Sequence, residues 1–162
     1  FSDEPAMSLQ TVIDDLATRA PDLEVIVTDA STATVDLAAA VHGVEPGQIA
    51  KTLAIRVGER EFLLVTRGDA RLSNSKAKAA FGGRPRMLGA EDVLRLTSHA
   101  VGGVCPFGLP APLTIYCDVS LQTYAEVIPA GGDTHASVRL PLARLVELCG
   151  SHWADACDVP PV

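Results

Sequence analysis

Two β-rich runs, Lys51-Thr52-Leu53-Ala54-Ile55-Arg56-Val57 and Glu61-Phe62-Leu63-Leu64-Val65-Thr66, are separated only by Gly58-Glu59-Arg60, and this pairing most constrains the fold. Apolar runs of strand length joined by a short glycine-bearing turn close as an antiparallel hairpin. A sheet is therefore expected, and the remaining segments must cover it. Leu9, Val12, Ile13 and Leu16 recur at helical spacing between Met7 and Arg19, and Pro21 ends that segment. Val35 to His42 reads as a second helix, capped by Thr34 or Ser31 and stopped by Gly43.

Further helices are expected over Ser73 to Phe81, Ala90 to Leu96, and Leu142 to Leu148, the last with Pro141 at its first position. Additional strands are expected at Glu24 to Thr28, Leu113 to Cys117, Ala125 to Ile128 and Ala136 to Leu140, and Gln48-Ile49-Ala50 reads as a turn. Hairpins mixed with modest helices indicate an α+β domain with a mixed sheet rather than a strict βαβ repeat. The 162 residues suit a single domain, spanning 7–150. Residues 1–6 read as a vector-derived or disordered start, and residues 151–162 as a C-terminal tail.

No apolar run approaches the roughly 20 residues that cross a bilayer, so no membrane partner is expected. Cys105, Cys117, Cys149 and Cys157 are widely spaced without a C-x-x-C pair, which fits a reducing cytoplasm and gives no zinc or redox signature. His42, His99 and His152 are too scattered to propose as metal ligands. Neither a metal nor another cofactor is expected.

The net charge of −7 is unevenly spread. Nine of the 13 basic residues fall between Lys51 and Arg86 against three acids, leaving that segment at +6 and the remainder at −13. Such a segment is either a solvated face or a footprint for a polyanion. Arg67, Arg71, Lys76, Lys78 and Arg84 are the candidate contacts to RNA phosphates.

Three segments can carry chemistry. In Gly102-Gly103-Val104-Cys105-Pro106-Phe107-Gly108, glycines allow close approach of main-chain N–H groups to a ligand, and Pro106 fixes the path; a structural turn is the alternative. Gly131-Gly132-Asp133-Thr134-His135 places Asp133 and His135 two apart, on one side if extended, where the pair can orient water; a strand-to-strand turn is the plainer reading. Lys51, at a strand entry, can reach a cleft or lie along the surface. No G-x-S-x-G nucleophile motif is present.

Taken in order, Ala50-Lys51-Thr52-Leu53, Val101 to Gly108, and Ile128-Pro129-Ala130-Gly131-Gly132 resemble the signature of the YbaK/EbsC family, which is similar to the editing domain of bacterial prolyl-tRNA synthetases. The resemblance covers about residues 20 to 150. It implies a strongly curved mixed sheet flanked by helices, and hydrolysis of the aminoacyl ester at the 3′ end of a mischarged tRNA. Lys51 matches the family's required lysine, and Gly102 and Pro106 match its G-x-x-x-P loop. The implied substrate contacts are Gly102, Gly103, Val104, Cys105, Pro106, Gly108, Gly131, Gly132, Asp133 and His135. The resemblance further implies that a terminal ribose hydroxyl of the substrate helps activate water, without a metal or protein nucleophile. The implied partners are the tRNA acceptor end and an aminoacyl-tRNA synthetase; the implied substrates carry Ala, Cys, Ser or Thr, with tRNA-Pro as a candidate carrier. Two departures touch the site: Cys105 stands where relatives often have Ser, and Ser137 where some have an acid. A non-catalytic tRNA- or nucleotide-binding module and a small-ester hydrolase are the competing readings.

Overall fold

The computed structural model describes residues 4–161. Helix α1 (Glu4–Arg19) leads into β1 (Val25–Val27) and α2 (Val35–His42). A 3-10 turn at Pro46–Gln48 feeds β2 (Ile49–Val57), which folds back onto β3 (Arg60–Arg67). Next come β4 (Arg71–Leu72), α3 (Asn74–Phe81), β5 (Arg86–Met87) and α4 (Ala90–Thr97). Beyond the glycine-rich loop lie β6 (Ile115–Asp118), β7 (Glu126–Pro129), β8 (Ala136–Val138), β9 (Leu140–Pro141) and α5 (Leu142–Cys149). The chain closes with β10 (His152–Ala154) and β11 (Cys157–Asp158).

The hairpin forms the centre of a curled, mixed sheet of order β10-β6-β3-β2-β7-β9, with β5 also on the edge of β2. β2 and β3 pair antiparallel from Ala50↔Arg67 to Val57↔Arg60, while β3–β6 and β2–β7 are parallel. Because strand side chains alternate between faces, β3 sends Leu63 and Val65 into one cluster and Phe62 and Leu64 into another. The first cluster packs against Val12 and Leu16 of α1 and Leu145 of α5. The second is organised around Phe62, Phe81 and Tyr116, whose ring centroids lie 4.6 to 5.2 Å apart at tilted or edge-on angles favourable to aromatic rings.

The helix ends follow local chemistry. Thr34 caps α2 by accepting from the Leu37 amide, and Ser73 caps α3 by accepting from the Lys76 amide. Elsewhere the structure departs from expectation. α1 begins at Glu4 rather than Met7, and residues 1–3 of the expected start lie outside the described residues. Ile49 and Ala50 belong to β2 instead of the preceding turn, since β7 pairs with both. Residues 151–158 are no tail: β10 extends the main sheet beside β6, and β11 pairs with β4. The buried Asp118 carboxylate accepts from the Ala156 amide at 2.8 Å, and Lys76 reaches Asp158 at 3.0 Å, so polar bonds hold this segment where its small buried residues, Ala154, Ala156 and Cys157, fill the core.

Candidate active site

The site forms where the edge of β2 lacks a continuous partner. β7 pairs with Ile49 and Ala50, β5 with Ile55 and Arg56, and the stretch between them borders a cavity of about 290 Å³. Its walls are mainly apolar, with Ala38 from α2, Ile49 and Ala54 from β2, Leu88 and Val93 near α4, and Ile128 from β7. The polar contributions come from Thr32, Thr34, Lys51, Thr52 and Ser137. Lys51 also lines an adjoining bay of about 320 Å³ with Thr34, Asp36, Asp69 and Arg71. Its ammonium donates to the Ala70 carbonyl on the bay side. Burial holds its pKa below the ordinary lysine value.

The glycine-rich loop supplies the facing wall through Val101, Gly102 and Val104. Gly102 has φ +94°, a conformation open to glycine at little cost. Gly103 is set by proximity: a Cβ there would lie 2.6 Å from the Asp133 nitrogen, and its carbonyl accepts from the Gly132 amide at 3.0 Å. The two glycine segments named from sequence are thus bonded to each other.

The second half of the loop turns away. Pro106 and Gly108 line a different depression, of about 740 Å³, beside Asp15 and Arg19. The Gly108 amide donates to Asp15 at 2.8 Å, and the Asp15 carboxyl is held below its usual range by its hydrogen bond to Arg19. Cys105 is fully buried, and desolvation pushes its thiol up to about 12, which leaves no reactive thiolate at neutral pH. His99 anchors this half: its Nε2 donates to the Phe107 carbonyl at 2.7 Å, and its Nδ1 accepts from the Ser8 hydroxyl. Burial lowers the His99 pKa and so favours the neutral ring that this arrangement needs.

A model of the aminoacyl-tRNA editing domain matches residues 29–148, which contain the whole cavity wall. The chain belongs to the aminoacyl-tRNA editing domain family. It is 39% identical to the uncharacterized protein YwhH of Bacillus subtilis over 93% of this chain and 98% of that one. A solved structure described as a proposed trans-editing enzyme for prolyl tRNA synthetase superposes with a TM-score of 0.86 at 38% identity, covering 93% of this chain and 97% of that one. The proline–tRNA ligase of Brachyspira hyodysenteriae is 33% identical over 52% of this chain, a match that covers 15% of the ligase.

Within this editing domain, Lys51, Gly102 and Val104 meet at one cavity. Gly103, Gly131 and Gly132 do not line it; the Gly132 amide donates to the Gly103 carbonyl and the Gly131 amide to the Ala136 carbonyl. Cys105, Pro106, Gly108, Asp133 and His135 do not line it, because the loop reverses after Val104 and because residues 131–135 form a turn rather than an extended strand. In that turn Asp133 accepts from the His135 amide at 2.9 Å, and the Thr134 and His135 carbonyls accept from the Thr32 and Thr28 amides. The basic candidates also divide. Arg67 is forked onto Asp69 at 2.7 Å and lies over the Tyr124 ring, and Lys76 pairs with Asp155 and Asp158. Arg71, Lys78 and Arg84 are exposed and form no ion pair among the described residues. Thr52 has no role assigned from the sequence although it adjoins Lys51, and His99, set aside there as a metal ligand, is a structural anchor whose partners, Ser8 and Phe107, lie far apart in the chain.

Proposed function

We propose that this editing domain is a trans-acting aminoacyl-tRNA deacylase of the cytoplasm, cleaving the ester that joins a small amino acid to the 3′-terminal ribose of a mischarged tRNA. The observation that carries the reading is that Lys51 and the loop residues Val101, Gly102 and Val104 wall one cavity at an open strand edge. The cavity takes the aminoacyl group, and the adjoining bay, with Lys51 and Arg71, takes the terminal ribose and its phosphate. Alanine, cysteine, serine and threonine are the candidate residues, and the mainly apolar wall favours alanine and cysteine. The relationship to proline–tRNA ligases makes tRNA-Pro the first carrier to test, with a synthetase as the partner that supplies it.

Water adds to the ester carbonyl, and the tetrahedral oxyanion collapses with breakage of the acyl C–O bond. The ribose oxygen leaves with a proton, releasing free amino acid and uncharged tRNA. An aminoacyl ester is already activated, so positioning and oxyanion stabilisation carry the catalysis. The vicinal ribose hydroxyl assists the attacking water, and Lys51 fixes the ribose-phosphate end so that the ester lies against the loop. Arg71, Lys78 and Arg84 form the exposed part of the acceptor-stem surface.

The test is hydrolysis of tRNA-Pro charged with alanine, cysteine, serine, threonine or proline by the wild type and by Lys51→Ala. At least one small-amino-acid ester is expected to be cleaved, with turnover falling by about 100-fold or more in the variant while its melting transition is retained. Binding without cleavage across the panel replaces the enzyme with a tRNA-binding module. Undiminished turnover by folded Lys51→Ala removes Lys51 from the mechanism.

A further inference from the structure

Thr52 carries a buried hydroxyl with no hydrogen-bond partner among the described residues, and it lies in the cavity wall. Buried polar groups are nearly always paired with protein or ordered water, so an unpaired hydroxyl in a cavity wall is a place where water, or a ligand that displaces it, completes the bonding. Strand alternation turns its side chain to the same face as Ala50 and Ala54, both of which line the cavity. The backbone points the same way. The Ala54 carbonyl accepts from the Leu88 amide across the open edge, and main-chain groups two residues apart face the same side, so the Thr52 carbonyl faces the gap between β7 and β5.

What would bind there follows from the chemistry around it. The Lys51 ammonium, on the bay side, is a donor suited to phosphate oxygens. An aminoacyl group also carries an α-amine, which needs acceptors, and no Asp or Glu lines the cavity. Of its threonines, Thr34 already accepts from the Leu37 amide and Thr32 donates to the Thr134 carbonyl, whereas Thr52 is uncommitted. We propose that Thr52 is a substrate-contact residue whose hydroxyl and main-chain carbonyl accept hydrogen bonds from the α-amine of the bound aminoacyl group. This rests on the deacylase reading for its natural substrate, although recognition of the amine is separable from cleavage.

The experiment uses two non-hydrolysable ligands, 3′-terminal adenosines carrying an alanyl or a propionyl group through an amide, the second lacking only the amine. Dissociation constants are measured for the wild type, T52V and T52S. T52V is expected to weaken the alanyl ligand roughly 10- to 100-fold, the scale of a hydrogen bond to a charged group. The propionyl ligand should change by less than about twofold, since no bond to the amine is lost. T52S, which keeps the hydroxyl, should stay near wild type on both, and T52V should melt no lower than wild type because an unpaired buried hydroxyl has been removed. Equal weakening of both ligands, or no weakening, overturns the assignment of Thr52 to the amine. Amine-dependent binding by a wild type that cleaves no mischarged tRNA upholds Thr52 and overturns the deacylase reading alone.

Discussion

Val101 to Val104 and Cys105 to Gly108 are consecutive halves of one loop, yet they answer to different neighbours. The first half faces the cavity, with Val101 69% exposed, and its shape is set by two glycines pressed against Ala33 and Asp133. The second half is bound into the core by His99, Asp15 and the burial of Cys105 and Phe107. A loop that must hold backbone amides in a fixed position gains from this division, because the anchored half absorbs the ordering cost that would otherwise fall on binding. The difference can be broken from either side.

The largest effect is expected at the joint. A methyl group at Gly103 would meet the Asp133 nitrogen at 2.6 Å, a side-chain carbon against main chain that cannot rotate away, so Gly103→Ala must part the two loops. A destabilisation of about 2 kcal/mol is expected, as for other forced overpacking, together with loss of most deacylation, read by thermal melting and ester-release assays. If activity persists at wild-type level, the cavity wall does not depend on the contact between the glycine segments.

His99→Ala costs more stability but less activity than Gly103→Ala, and should separate folding from chemistry. It strands the Ser8 hydroxyl and the Phe107 carbonyl in the interior, at a cost of about 3 kcal/mol. At temperatures where the variant is folded, KM should move more than kcat. The same residue gives a pH signature. Burial keeps the folded His99 pKa below the ordinary value of 6.5, so below that pH the unfolded chain takes up a proton that the folded one resists. Stability should therefore be full above pH 6.5 and fall on acidification towards the lowered folded value. His99→Gln should flatten this part of the melting profile; an unaltered slope would assign the acid sensitivity to other groups.

The same division explains what the sequence disclosed. The β2–β3 hairpin and the caps at Thr34 and Ser73 are legible because they depend on neighbours a few residues apart. β4, β5 and β11 are two-residue pieces whose existence depends on distant partners, and β10 is recognisable only once β6 stands beside it. Of the residues to which the ordered motifs point, Lys51, Gly102 and Val104 line the cavity. The motif did not reveal where the loop reverses, and so Pro106 and Gly108 were expected beside the substrate and instead face Asp15. Asp69, two residues from Arg67, was a visible neutralising partner, whereas Asp155 and Asp158 reach Lys76 only through the pairing of β11.

The smallest effects test the division most selectively. Val101 is largely exposed yet lines the cavity, so Val101→Ser should leave stability within about 0.5 kcal/mol, as for most surface substitutions. It should raise KM roughly two- to fivefold through lost apolar contact with substrate. Pro106→Ala is its counterpart in the anchored half. It frees the unfolded chain and should lower stability by about 0.5 to 1 kcal/mol, with KM unchanged because Pro106 faces the rear depression. Chemical denaturation and steady-state deacylation on the same preparations check both. A KM shift from Pro106→Ala without one from Val101→Ser would mean that substrate approaches from the Asp15 side, and would move the reaction to the opposite face of the loop.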